Sequence, residues 1–144
     1  MADAVTSKVL GQSDRLYGLR LTNLSDGTGE SAVTKVDVSG LTVGLSASTA
    51  TCTGVDILSI EYTILTFTSI ELYWYATTPD LITILIPGVG FRDYQWCPKG
   101  YQIVNGKGLV DPQSSGYTGD LILTTQGAAS GAFYDITLWM RKRS

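Results

Sequence analysis

The residue types that usually carry acid–base or metal chemistry are scarce in this chain. Histidine, the side chain best suited to proton transfer near neutral pH and to transition-metal binding, is absent from all 144 residues. A Ser-His-Asp triad is therefore impossible, Cys97 lacks its usual base, and no GxSxG segment is present. The sequence thus favours a protein that is not an enzyme.

Carboxylates remain as candidate ligands or catalysts. Asp26 with Glu30, or Asp111 with Asp120, would offer loop oxygens to calcium, but neither segment has the alternating ligands and closing Glu of an EF-hand. Asp93 and Asp120 would form a glycosidase pair only if they faced each other across a cleft, which sequence does not reveal. We interpret these residues as solvated turn residues.

A glycine-rich segment resembles a nucleotide-binding fingerprint in its letters alone. Residues 27–32 read GxGxxA, but that fingerprint works only between a strand and a helix. The following residues 33–38 alternate and are rich in β-branched side chains, which predicts a strand. We therefore predict a plain turn here, and no cofactor.

The two cysteines, Cys52 and Cys97, form no CxxC pair, and without histidine a zinc site would lack ligands. Reduced, partly buried thiols are the favoured interpretation, and a disulfide is the alternative.

Residues 1–8 do not resemble a signal peptide, and charged residues and proline interrupt the apolar stretch 57–86. We expect a chain made in the cytoplasm, without a membrane partner.

Charge is sparse and slightly acidic, with 10 Lys+Arg against 13 Asp+Glu. No basic stripe alternates with aromatic residues, so direct nucleic-acid binding is not expected. The only basic cluster, residues 141–143, is predicted to be a solvated tail.

Alternation of apolar and polar side chains with period two predicts β-strands along most of the chain. The phase slips at Ile64 and Leu65, which predicts a bulge or kink that would return both sets of side chains to the core. Residues 81–86 are almost continuously apolar, which predicts a central strand covered on both sides. Residues 39–54 fit a strand or a draped loop equally well. Further strands are predicted at residues 16–22, 33–38, 58–64, 70–75, 119–125 and 133–141.

These elements predict an all-β fold: one β-sandwich domain over residues 15–144, with a jelly roll preferred. Residues 1–14 are polar and weakly patterned, and we predict an extended N-terminal arm there. Aromatic residues Tyr94, Trp96 and Tyr101 fall in the long segment 91–112. They are suited to closing the core, to a protein interface or to stacking a sugar, and sequence leaves all three open.

Three stretches together resemble a family of small virion structural proteins of tailed bacteriophages, of the capsid decoration or cement type. They are NLSDGTGESAVTKVDVS at residues 23–39, YWYATTP at 73–79 followed by GVG at 88–90, and GYTGDLILTT at 116–125 with the AASG and YDITL segments after it. The resemblance covers most of the chain, and residues 91–112 fit it least well.

The resemblance implies a non-enzymatic β-sandwich on the outer surface of an icosahedral head. Its partners would be the major capsid protein and other copies of itself, as a trimer, with the arm lying along the capsid. The alternative is a carbohydrate- or receptor-binding module of a virion, and a tail or adaptor location also stays open. The residues predicted to contact partners are Val5, Val9, Leu10, Tyr94, Trp96 and Tyr101.

Overall fold

The computed structural model describes residues 3–13, 15–43, 50–94 and 108–143. Within these ranges the chain is all-β, and a single 3₁₀ turn, Val38–Gly40, is its helical element. The strands are β1 Ala4–Gln12, β2 Leu16–Asp26, β3 Val33–Val36, β4 Thr42–Val43, β5 Ala50–Thr51, β6 Gly54–Leu65, β7 Ser69–Trp74, β8 Asp80–Leu85, β9 Gly88–Asp93, β10 Leu121–Gln126 and β11 Ser130–Arg143. No helix in the described ranges has the length and apolar character needed to cross a membrane.

The strands form two antiparallel sheets and a small ribbon. The larger sheet has five strands in the order β1-β2-β11-β6-β9, and the smaller has four in the order β3-β10-β7-β8. Strands β4 and β5 pair separately. The chain changes sheet from β2 to β3, from β6 to β7, and at each step from β8 to β11.

One hydrophobic core contains side chains from both sheets. Along β11 the even-numbered residues from Ala132 to Met140 are buried, as a strand with one covered face requires. Leu19 and Leu21 of β2 are also buried. The smaller sheet contributes Ile70, Leu72, Leu85, Leu121 and Leu123. The alternation seen in the sequence is thus the core face of the two sheets.

Two predictions about strand placement are wrong. The phase slip at Ile64 and Leu65 is neither a bulge nor a kink that returns both sets of side chains to the core. Strand β6 ends at Leu65, which is 55% exposed, and the chain then turns through Thr66, which has a positive φ of 76°. Phe67 is then fully buried as the chain enters the smaller sheet. Residues 81–86 do not form a central strand, because among the described strands β8 pairs only with β7 and lies at a sheet edge.

The N-terminal segment, predicted as an extended arm that packs on something or stays mobile, is extended and belongs to the larger sheet, because β1 pairs along its length with β2 as an edge strand. The other end of the chain differs from expectation. The predicted solvated tail is the end of β11, where Lys142 is 2% exposed. Its ammonium group donates to Gln12 Oε1 at 2.7 Å and to the carbonyls of Ser13 at 2.9 Å and Thr42 at 3.0 Å. Lys142 therefore ties β11 to the end of β1 and to β4.

Candidate functional site

The surface most unlike that of an isolated soluble domain lies where β8 and β9 meet. We call it the β8–β9 border and define it by Leu81, Ile84, Ile86, Val89 and Phe91. These side chains are between 44% and 82% exposed. Both strands lie at sheet edges, β8 in the smaller sheet and β9 in the larger.

The border arises from the pleat of two edge strands joined by a short link. In β8, Thr83 and Leu85 are buried, so Ile84 between them faces outward. The register shifts between the pairs Leu72–Thr83 and Tyr73–Leu81, which interrupts the pleat, and Leu81 is exposed as well. In β9 the register places Val89 and Phe91 on the outer face of the larger sheet, opposite Thr63 and Glu61. The apolar side chains therefore extend around one side of the sandwich.

Arg92 closes the gap between the two sheets behind this border. Its guanidinium lies 5.7 Å from the centre of the Tyr62 ring, a cation–π distance. It donates to Thr83 Oγ1 and, at 3.4 Å, to the carbonyl of Ile84. The one basic side chain of β9 is thus directed toward β8 rather than presented at the free edge.

The residues predicted to contact partners lie in different places. Val5 and Val9 lie on the same face of β1, where their cross-strand partners on β2 are Asn23 and Leu19. Both valines are more than 40% exposed. Leu10 is also exposed and lines a groove on the outer face of the larger sheet.

Of the three aromatic residues Tyr94, Trp96 and Tyr101, the structure describes Tyr94. Tyr94 is half-buried and packs against the core, as core closure requires. Its backbone N–H donates to the carbonyl of Leu58 at 2.8 Å. Trp96, Tyr101 and Cys97 lie outside the described residues. Cys52 is a free, buried thiol that donates to the carbonyl of Gly54 at 3.1 Å.

Glu30, a candidate calcium ligand, instead belongs to a buried polar cluster. Its carboxylate accepts from the Tyr134 hydroxyl at 2.5 Å and from Asn23 Nδ2 at 2.8 Å, and it forms an ion pair with Lys35. Burial, and then the hydrogen bond to Glu30, raises the pKa of Tyr134 above its ordinary value of 10.0. The cluster fastens the turn after β2 to β11 and β3. The strand predicted after residues 27–32 is confirmed, because β3 follows them where the nucleotide-binding fingerprint would need a helix.

The cluster also holds the N-terminus. Burial alone would raise the pKa of Asp3, but hydrogen bonds from Asn23, the backbone of Asp26 and Ser25 outweigh it and lower that pKa to about 2. The Asp3 carboxylate is therefore a structural acceptor that anchors the start of β1 to β2.

The other acidic candidates are also engaged within the fold. Asp26 accepts from the backbone and hydroxyl of Thr28, and Asp120 accepts from the backbone N–H of Val38 at 2.9 Å. Asp111 is buried, which raises its pKa, and it accepts from the backbone of Gln113. Among the described residues no group of three or more metal-ligating side chains is close enough to hold an ion.

Asp93 and Asp120, the candidate glycosidase pair, belong to different parts of the sandwich. Asp93 ends β9 in the larger sheet, whereas Asp120 immediately precedes β10 in the smaller one. Since the acidic candidates are engaged within the fold, the candidate functional site among the described residues is the set of exposed apolar side chains at the sheet edges. Comparisons of the chain with protein-family models, with curated proteins and with solved structures find no match.

Proposed function

We propose that this chain is a non-enzymatic structural protein of a tailed bacteriophage that decorates the outside of the head and stabilises it by binding the major capsid protein. The observation that carries the proposal is the β8–β9 border. Edge strands expose unpaired backbone N–H and C=O groups, and soluble proteins usually protect them with charge, proline or a covering element. Here the charged residues of the two edge strands are Asp80 and Asp93 at strand ends and Arg92, which is directed toward β8, while Leu81, Ile84, Val89 and Phe91 are exposed.

Such a border is suited to a protein partner. An extended segment of a capsid subunit can add a strand to a free edge, with main-chain hydrogen bonds for affinity and apolar side chains for specificity. Large exposed apolar patches on a protein surface also commonly mark sites of interaction with a partner. We propose the major capsid protein as the partner because residues 23–39, 73–79 and 116–125 resemble capsid decoration proteins.

The finer features of the proposal are a jelly-roll connectivity, a trimeric assembly and an N-terminal segment that reaches a neighbouring subunit. Many copies on one shell make weak contacts effective, because a linked second contact forms at a high effective concentration. In this arrangement Val5 and Val9 of β1, which the larger sheet leaves exposed, would contact the capsid or another copy.

The proposal is tested with heads that lack this chain and with purified protein added back. The double variant Ile86→Ser and Val89→Ser removes apolar area from two side chains that are 61% and 82% exposed, so the fold should be retained. We expect occupancy of the heads to fall by at least about tenfold at limiting protein, since truncating central interface residues costs more than about 1 kcal/mol each.

Tyr117→Ser is the matched control, because Tyr117 is an exposed apolar residue in the loop before β10. It should bind heads as well as the unaltered chain does. Heads that never bind the chain, or that bind the double variant fully, would refute the proposal. A cryo-electron map of the particle would locate the chain and report whether it forms trimers.

A further inference from the structure

A groove of about 670 Å³ crosses the outer face of the five-stranded sheet, and side chains from all five strands line it. Its volume lies in the range of small-ligand sites, about 300–1,000 Å³. The ends of the groove are apolar, with Leu10 at the β1 edge and Phe91 at the β9 edge. The middle is polar and is lined by Arg20, Glu61, Thr63, Asp135 and Thr137.

The polar middle is held in place by an ion pair between neighbouring strands. Arg20 of β2 donates to both carboxylate oxygens of Asp135 on β11, from Nε at 3.1 Å and from a terminal nitrogen at 2.6 Å. A guanidinium has more N–H donors than this pair uses, and a carboxylate has further lone pairs. The pair therefore offers a ligand both donors and acceptors in a fixed orientation.

An aromatic side chain, Trp139, lies beside the groove on the same face of the sheet without being one of its lining residues. Trp139 is the next outward-facing residue after Thr137 on β11, roughly 6.6 Å further along the strand. Its six-membered ring lies over Gly18 of β2, where an added Cβ atom would be 2.3 Å from the ring. Glycine at position 18 thus lets the indole rest against the sheet, while 36% of Trp139 stays exposed.

The groove does not suit a peptide or a charged polymer. It runs across the strands, where the backbone groups of β2, β11 and β6 are already used in the ladder. A peptide strand would find free backbone partners only at the edges. Among the lining residues the one cation, Arg20, is already paired with Asp135, and Glu61 adds a further negative charge, which disfavours an anionic ligand.

We propose that this groove binds a neutral oligosaccharide. Its hydroxyl groups would hydrogen-bond to Arg20, Asp135 and Glu61, and the C–H faces of its rings would pack on Trp139 and Phe91. The groove spans five strands, which are about 4.8 Å apart, so it accommodates a chain of several sugar rings rather than one. The inference depends on no part of the proposed capsid function.

The test uses calorimetric titration of the purified chain with maltotetraose, cellotetraose, chitotetraose and mannotetraose, after a screen on an array of neutral and anionic glycans. We expect at least one neutral oligosaccharide to bind. Glu61→Gln and Trp139→Ala should each weaken that affinity by about tenfold or more, the effect of losing one charged hydrogen bond or a stacking surface.

The matched controls lie on strands of the other sheet or just beyond them. Glu71→Gln in β7 removes a carboxylate charge, as Glu61→Gln does, and Tyr75→Ala after β7 removes an aromatic ring, as Trp139→Ala does. Both control variants should leave the affinity for the oligosaccharide unchanged. Failure of all neutral glycans to bind, a preference for anionic glycans, or binding that Glu61→Gln and Trp139→Ala leave intact would overturn the inference. The border variant Ile86→Ser should keep oligosaccharide affinity while lowering head occupancy, so the two proposals fail separately.

Discussion

Lys142 is the side chain whose replacement should report most directly on how the edge strand β1 is held. Its ammonium group is buried, and its three donors reach acceptors on Gln12, Ser13 and Thr42. The variant Lys142→Met keeps most of the aliphatic length and so avoids a large cavity. What it removes is the charge and the three hydrogen bonds.

The expected loss follows from opposing contributions. Hydrogen bonds to a charged group contribute about 1.5–3 kcal/mol each, which sets an upper bound for the three bonds. Two effects reduce it. Removing a buried ammonium relieves a desolvation cost of several kcal/mol, and the acceptors belong to exposed residues that can regain water. We expect a net destabilisation of about 1–3 kcal/mol, or about 4–10 °C in Tm for a chain of this length.

Two measurements test this expectation. Urea unfolding gives the change in free energy, and hydrogen exchange shows where the native state opens. Amides of β1 that pair with β2 should exchange faster in Lys142→Met, while those between β6 and β11 should be less affected. Lys8→Met is the control, because Lys8 is exposed on β1, and its stability should change by less than about 0.5 kcal/mol. Equal or higher stability of Lys142→Met, with β1 protection unchanged, would refute the reasoning.

Two further predictions concern the polar cluster around Glu30. The pKa of Asp3 lies at about 2, below its ordinary 3.8, so the stabilisation is present above about pH 4 and is lost as the pH falls through 2. The Tm difference between the unaltered chain and Asp3→Ala should therefore shrink from about pH 5 to about pH 2, and a constant difference would contradict this. Tyr134→Phe removes the 2.5 Å hydrogen bond to Glu30 and should cost about 1.5–3 kcal/mol in urea unfolding. A loss below about 0.5 kcal/mol would indicate that Asn23 and Lys35 satisfy the carboxylate alone.

The sequence predicted the positions of six strands. Period-two alternation located β2, β3, β6, β7, β10 and β11. In β2, β7 and β11 burial follows the pleat along most of the strand, whereas the first half of β6 and most of β10 are buried on both faces. The pattern misplaced β8, since a continuous apolar run has the same letters in a central strand and in an edge strand that exposes Leu81 and Ile84. It missed β1 because a polar edge strand buries little apolar surface and leaves no alternation to detect.

The candidate surfaces were harder to predict for a different reason. The groove combines residues from β1, β2, β6, β9 and β11, whose neighbourhood depends on the sheet order and not on sequence spacing. The packing of Trp139 on Gly18 could not be predicted, since it joins positions far apart in the chain. A glycine in the middle of a strand was the available signal, because it marks a close approach by another group.

The two edges of the larger sheet provide an internal comparison for the proposed partner contact. The β1 edge carries Thr6, Ser7 and Lys8 in its middle and a register irregularity between Val9 and Gly11, features that oppose pairing with a further strand. The β9 edge lacks lysine and proline, and its arginine is directed toward Thr83.

An isolated domain would need both edges protected to the same degree, because both are open to solvent and to other chains. Both edge strands expose apolar side chains, Val5, Val9 and Leu10 on β1 and Val89 and Phe91 on β9. Strand β9, however, has neither the lysine nor the register irregularity of β1, and within the part of the chain that the structure describes it pairs with β6 alone. This asymmetry is expected if β9 is covered by a neighbour in the assembled state and β1 is not paired there. Main-chain pairing with a partner should therefore occur at β9, whereas any contact of β1 should be made by the side chains of Val5 and Val9.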